Sequence, residues 1–201
     1  FSQSHLVERF AVSSEAIPKV LAKPPHLIVL ASGKQTATIN LLHSLRAEER
    51  LRSIPVLCIN PKGASSDGIA LLDAGADDFI NRPFNGQIFI ARVRSLLRRR
   101  AWSGQMGEEV TLGDGQIQLR LVSRQAVFSG RPLDLTRLEF DLLSFLLRRV
   151  DTVCSRQEIL QAVWGYPENV ETRTLEKHIE MLRRKLGPDS DHIETIHGIG
   201  Y

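Results

Sequence analysis

Residues 173–186 read Arg-Thr-Leu-Glu-Lys-His-Ile-Glu-Met-Leu-Arg-Arg-Lys-Leu. Stepping about 100° per residue around a helix puts Leu175, Ile179, Leu182 and Leu186 in one narrow arc. Opposite them fall Arg173, Thr174, Lys177, Met181 and Arg184. His178 and Lys185 flank one edge, Arg183 and Glu176 the other, and Glu180 also points outward. Residues 173–187 carry five basic side chains against two acidic ones. Such a face fits a DNA major groove, where guanidinium groups read guanine edges and neighbouring cations meet phosphates. The same pattern also suits a solvated amphipathic helix. His178 is open to either reading: a DNA contact or an exposed polar residue.

The elements around this helix favour DNA. Thr136-Arg137-Leu138-Glu139 and Ser155-Arg156-Gln157-Glu158 are two capping boxes, each predicting a helix start. Phe140, Leu143 and Leu147 give the first helix an apolar face; Ile159, Leu160 and Val163 do so for the second, which ends near Trp164-Gly165. Gly187-Pro188 stops the third. Upstream, residues 110–112, 116–119, 125–128 and 132–135 are short extended stretches. Gly113-Asp114-Gly115 and Ser129-Gly130 separate them, predicting a small antiparallel sheet. Residues 193–196 and 198–201 predict a closing hairpin. Sheet, three helices and hairpin make an α+β winged helix-turn-helix domain over residues 110–201. Trp164 either meets phosphate through its indole N–H or packs in the core. Tyr201 either touches backbone phosphate or packs.

Residues 1–100 have another style. Leu27-Ile28-Val29-Leu30-Ala31, Pro55-Val56-Leu57-Cys58-Ile59 and Asp78-Phe79-Ile80 are continuous apolar runs, as expected of parallel strands covered on both faces. Helical patterns lie between them, one ending in Arg98-Arg99-Arg100. This predicts an α/β doubly wound sheet. Residues 101–109 read as a linker.

Composition narrows the function classes. The chain has 201 residues and a net charge of +3. Residues 1–100 hold 14 basic and 8 acidic side chains; residues 101–201 hold 12 and 15. The second half is therefore net acidic, and any grip on DNA must come from a local patch. Cys58 and Cys154 are too few and too far apart for a disulfide scaffold or a zinc cluster. No apolar run is long enough to span a membrane. No nucleophile–base pair, metal-ligand spacing or phosphate-cradling loop is present, so the expectation is a non-enzyme without cofactor or metal. A reduced cytoplasm suits the two thiols.

Several motifs in order resemble the OmpR/PhoB winged-helix family. They are Leu133-Asp134-Leu135-Thr136-Arg137-Leu138-Glu139-Phe140, Arg173-Thr174-Leu175-Glu176-Lys177-His178-Ile179, Leu182-Arg183-Arg184-Lys185-Leu186 and Ile196-His197-Gly198-Ile199-Gly200-Tyr201. Gly75-Ala76-Asp77-Asp78-Phe79 with Arg82-Pro83-Phe84 resembles the end of that family's receiver domain, a flavodoxin/CheY-like fold. The resemblance implies a bacterial, sequence-specific transcription regulator that binds double-stranded DNA at tandem half-sites. Residues 173–186 match the recognition helix. Arg173, Thr174, Lys177, His178 and Arg183 match DNA-contact positions, as do Thr195, His197 and Tyr201 around the wing; Arg184 joins them from the helical wheel. Glu180 and Met181 stand where relatives often carry basic residues, and His197 where they carry a wing Arg. A shifted base preference and a weaker minor-groove contact at neutral pH follow. Residues 165–172 resemble the segment that meets RNA polymerase.

Family receivers accept a phosphoryl group on an Asp ending the third strand, with acidic residues holding Mg²⁺. The resemblance places Ala31 at the acceptor position, Asn60 at the Ser/Thr switch, Phe79 at the aromatic switch and Arg82 at the Lys position. A methyl group cannot be phosphorylated, so the expectation is a phosphorylation-independent, atypical receiver. Other readings stay open: a conventional phosphorylated regulator, or a pocket of Ala31, Asn60 and Arg82 that senses a small ligand or a protein. Residues 5–12 match the family's second strand, so an N-terminal strand and helix are expected ahead of this chain, leaving the receiver here N-terminally incomplete. The family's dimer face implies a homodimer using Asp78 and Arg92. Ile88 stands at an acidic position of that face and is expected to point outward and add apolar contact.

Overall fold

The computed structural model describes residues 6–11, 13, 16–61, 65–102, 111–112, 116–166, 172–187 and 191–201. In its first half, α1 (Ala16–Ala22) precedes β1 (Ile28–Ala31). Helices α2 (Gln35–Ala47) and α3 (Glu49–Arg52) lead to β2 (Val56–Asn60), and α4 (Ser65–Asp73) leads to β3 (Asp78–Asn81). Helix α5 (Gly86–Trp102) closes this half. The strands form one parallel sheet in the order β1-β2-β3, with Leu30 opposite Cys58 and Cys58 opposite Phe79. Val56 and Cys58 pack against Leu42, Leu45 and Leu72 on one face; Leu57 meets Val93 and Leu96 on the other. Two covered faces explain why these strands read as unbroken apolar runs.

Within the described residues 6–11, the strand expected at residues 5–12 does not form. Residues 6–11 have no regular structure, and Leu6, Val7 and Phe10 are exposed. A strand needs a neighbour to take its N–H and C=O groups, and the described residues supply none there. A Lys23–Glu8 ion pair and Lys19 over the Phe10 ring anchor the segment instead. Helix α5 also runs through residues 101 and 102, the start of the expected linker. Residues 103–109 lie outside the described residues.

The second half opens with an antiparallel sheet, β4 (Thr111–Leu112), β5 (Ile117–Arg120), β6 (Gln125–Phe128) and β7 (Arg131–Leu133), in that order. The Gly113-Asp114-Gly115 turn lies outside the described residues. Both capping boxes form. Thr136 accepts from the Glu139 N–H and opens α6 (Arg137–Leu147); Ser155 accepts from the Glu158 N–H and opens α7 (Arg156–Ile159). The chain then continues as a π-helical turn over Leu160–Trp164, ended by Gly165 in the left-handed region at φ 65°. Helix α8 (Thr174–Leu186) follows.

Leu175, Ile179, Leu182 and Leu186 sink into a core with Leu138, Leu142, Leu143, Ile159 and Trp164. Each fully buried aliphatic side chain contributes about 1.5–3 kcal/mol. The closing hairpin is shorter than expected. It is an Ile196–Gly200 bridge, tied down by mutual backbone hydrogen bonds between Cys154 and Tyr201. Gly200 sits against the Cys154 carbonyl, where a Cβ would collide, so the close approach of this turn to Cys154 requires glycine.

Candidate nucleic-acid interface

Helix α8 and the wing are held together by Arg183. Its Nε donates to the Ile193 carbonyl at 3.0 Å and its Nη2 to Thr195 Oγ1 at 2.8 Å. Arg183, Arg184, Gly187, Asp191, Ile193, Glu194 and Thr195 line an open groove between helix and wing, of about 890 Å³. Arg173, Arg184, Thr195 and His197 are exposed, and Tyr201 is half-buried. Burial raises the Tyr201 pKa, with Glu176 adding to the shift, which keeps its hydroxyl a proton donor. Lys185 turns back to the protein. Its Nζ meets Glu139 Oε2 at 2.6 Å and the Asp134 carbonyl at 2.7 Å, neutralising a fully buried carboxylate.

The other side of α8 is not solvent-facing. His178 is buried, edge-on to the Trp164 ring at 5.3 Å, and its Nδ1 bonds the Thr174 carbonyl at 2.8 Å. The reading of His178 as an exposed polar residue does not hold: in this structure it packs against Trp164. Thr174 and Met181 are also buried. Helix α8 packs along α4 of the first half. Thr174 Oγ1 donates to Asp78 Oδ1 at 3.2 Å, and Lys177 Nζ lies 2.9 Å from Asp73 Oδ1. Burial works against the Lys177 charge, but Asp73 and Glu180 more than offset it and raise its pKa. A helical wheel places residues around one axis; it carries no information on a second body packed against them.

These contacts converge on Asp78 at the start of β3. Arg92 Nη1 pairs with Asp78 Oδ2 at 2.6 Å, and the Tyr166 hydroxyl donates to the same oxygen. Arg92 also donates to the Tyr166 oxygen, and its guanidinium lies over the Tyr166 ring. Burial penalises the Arg92 charge, yet the Asp78 and Tyr166 interactions dominate and raise its pKa, so it stays protonated. A second bridge joins the halves at Arg52 Nη1 and Asp134 Oδ1, 2.6 Å apart. Asp78 and Arg92, expected at a dimer face, are thus buried within one chain, whereas Ile88 is 50% exposed. Tyr166 and Asp73 were not singled out from sequence. Tyr166 carried a usable signal, being an aromatic hydroxyl directly after the helix-ending Gly165; Asp73 carried none.

Residues 130–201 match the family model described as "Transcriptional regulatory protein, C terminal". The chain is 34% identical over 191 residues to the transcriptional regulatory protein PrrA of Mycobacterium leprae, covering 94% of this chain and 81% of that protein. It is 38% identical over 161 residues to the DNA-binding dual master transcriptional regulator RpaA of Synechocystis, covering 78% of this chain and 67% of that one. This chain belongs to the OmpR/PhoB family of response regulators. A solved structure of a RitR point mutant shares the fold, with a TM-score of 0.65 at 22% identity, covering 93% of this chain and 82% of that chain.

As an OmpR/PhoB response regulator, the chain has a receiver-like half followed by a winged-helix output half. The family resemblance puts the phosphoacceptor position and its neighbours at the C-terminal edge of the parallel sheet. Here Ala31 ends β1 and is exposed, and Asn60 is buried at the end of β2 with its Nδ2 donating to Asn81 Oδ1 at 2.8 Å. Arg82 is exposed just beyond β3. Phe79 faces α4 and packs on the core. Asp77 and Asp78 lie at the opposite, N-terminal end of β3. A methyl, two amides and a guanidinium do not fit a Mg²⁺ ion, which requires anionic oxygen ligands. Among the described residues no group of three or more His, Cys, Asp or Glu side chains is placed to hold a metal ion. No described helix is long and apolar enough to cross a membrane.

Proposed function

We propose that this response regulator is a sequence-specific DNA-binding transcription regulator whose receiver half works without phosphoryl transfer. In this reading it binds tandem half-sites as a dimer. Ala31 carries the proposal. It occupies the sheet edge where the family resemblance puts the acceptor carboxylate, and Asn60, Asn81 and Arg82 around it offer no substitute nucleophile. A carboxylate is needed both to take the phosphoryl group and to help hold its metal. For the output half, the cationic side chains of Arg173, just ahead of α8, and Arg184 on α8, with Thr195 and His197 at the wing, support contact with a duplex.

Incubation with a small phosphodonor and Mg²⁺, followed by intact-mass measurement, tests the receiver reading. No added phosphoryl mass is expected, and DNA binding is expected to be the same with and without the donor. A stable phosphorylated species would restore the conventional mode of control. Sedimentation with and without duplex tests the dimer. Ile88→Glu is expected to weaken self-association, because it puts a charge where the apolar side chain is exposed.

A further inference from the structure

The exposed residues of α8 are Glu176, Glu180 and Arg184. At four-residue spacing they follow one another along a single line, with exposed Arg173 just ahead of the helix. Leu175, Ile179, Leu182 and Leu186 fill the core, and Thr174, His178 and Met181 are buried as well. The two carboxylates on the open line differ. Glu176 is already satisfied within the protein: Arg156 Nη1 lies 2.7 Å from its Oε1, and Arg156 Nη2 donates to its Oε2 at 3.3 Å. Glu180 stands at the midpoint of the helix with its side chain 61% exposed, and its 2.8 Å ion pair with Lys177 engages Oε1. An ionised carboxylate has lone pairs for about four donors, so Glu180 keeps accepting capacity on the open face of α8.

A carboxylate facing a duplex has few acceptable neighbours. Phosphate oxygens repel it, and so do guanine O6 and N7 and thymine O4 on the floor of the major groove. The donors there are the amino groups of cytosine and adenine. Adenine's amine has acceptors on both sides, its own N7 and the O4 of the paired thymine. Cytosine's amine has one on a single side, the O6 of the paired guanine. The second carboxylate oxygen is therefore repelled less at cytosine. We propose that Glu180 is a specificity-determining residue of the DNA-reading helix, accepting a hydrogen bond from the N4 amino group of a cytosine in each half-site. The inference rests on the reading of α8 as the helix that enters the major groove. Glu180 acts mainly by exclusion. At a cytosine it exchanges hydration for one hydrogen bond, a small net gain. At guanine or thymine it is desolvated against an acceptor, and the wrong sequence is rejected.

The test uses the full chain and a random-sequence duplex pool of about 30 base pairs, close to three helical turns. Selection and sequencing give the base preference at each position. The wild type is expected to show one position per half-site where cytosine dominates; thymine there in the selected duplex is expected to weaken binding about tenfold. Glu180→Gln is expected to move the preference at that position to adenine, whose N6 and N7 a carboxamide pairs bidentately, with the other positions unchanged. Glu180→Ala is expected to lose the preference and to bind the cytosine and thymine duplexes equally. Glu176→Gln removes the same charge from the same helix and is expected to keep the wild-type pattern. All three variants alter exposed side chains, and far-UV circular dichroism melts confirm that they fold. One shared pattern in all four proteins overturns base reading by Glu180 but leaves α8 as the DNA-binding helix. So does a Glu180→Ala protein that binds every duplex more tightly by the same factor, which would make Glu180 a repulsive charge only. A Glu176→Gln pattern that changes as the Glu180 variants do assigns the effect to helix charge and overturns it too. Absence of binding by all four proteins overturns the reading of α8 itself, and base reading by Glu180 with it.

Discussion

The ring of Phe79 in β3 occupies the space that a Cβ on Gly68 of α4 would fill. Glycine inside a helix costs about 1 kcal/mol relative to alanine, so Gly68→Ala would ordinarily stabilise the chain. Here the added methyl meets a ring that already packs on the core of the sheet. Gly68→Ala is expected to destabilise the receiver half by about 1–3 kcal/mol, the usual range for overpacking. Phe79→Leu in the same chain should recover part of that loss. A denaturant double-mutant cycle measures the coupling; Gly68→Ala at or above wild-type stability would show that the ring yields freely.

Arg46 is a second fixed point of the receiver half. Its Nη2 lies 2.7 Å from Asp77 Oδ2, its Nε donates to the Gly75 carbonyl, and its Nη1 donates to the carbonyls of Arg52 and Ile54. Asp77 also accepts from the Val56 N–H at 2.7 Å, which ties the start of β3 to β2. Arg46→Met is expected to cost about 3–5 kcal/mol, because it strands a buried carboxylate. Arg46→Lys should rescue little, since an ammonium cannot span the fork of acceptors. Urea unfolding followed by circular dichroism reads both. Near-wild-type stability in Arg46→Met would mean that the Val56 N–H alone satisfies Asp77.

Local signals in the sequence translated well into structure where the structure is locally determined. The apolar runs at β1, β2 and β3 became a parallel sheet covered on both faces. Thr136 and Ser155 became helix caps, since a capping box closes within four residues. The Leu175–Leu186 stripe found its core. Failures arose where a second body decides. Residues 6–11 have strand-like composition but no strand beside them. The π turn at Leu160–Trp164 shifts the side chains that follow, an irregularity that a 3.6-residue period does not reveal. Thr174 and His178 are buried although the wheel placed them outside or on an edge, because the receiver half and Trp164 cover them; Met181 is buried as well.

Glu158 gives a pH signature in the output half. Hydrogen bonds from the Ser155 side chain and backbone hold its carboxyl below the usual value, with burial opposing weakly. A depressed folded-state pKa gives stability that is present above the unfolded-state value and lost as pH falls through the folded one. Glu158→Gln keeps an acceptor for the Ser155 N–H but removes the titration. Its thermal stability is expected to match wild type more closely at acidic pH than at neutral pH. Melting temperatures across that range check the sign; a constant gap at every pH would show that capping here does not depend on the charge.

Arg183 and Arg184 are adjacent but should affect DNA binding in different ways. Arg183 gives its donors to the Ile193 carbonyl and Thr195 Oγ1, so it sets the angle between α8 and the wing. Arg184 is exposed on the groove between them. Each cation that neutralises a phosphate releases counterions and contributes about one to the slope of log affinity against log salt. Arg184→Ala is therefore expected to weaken binding and to lower that slope by about one. Arg183→Ala is expected to weaken binding with the slope unchanged, because it misplaces the wing without removing a phosphate contact. Arg183→Lys should behave like the alanine variant, since one ammonium cannot hold both wing acceptors in the same geometry. Titrations across a salt series separate the two roles. A slope that falls by one for Arg183→Ala would make Arg183 a direct phosphate ligand that leaves the wing on binding DNA.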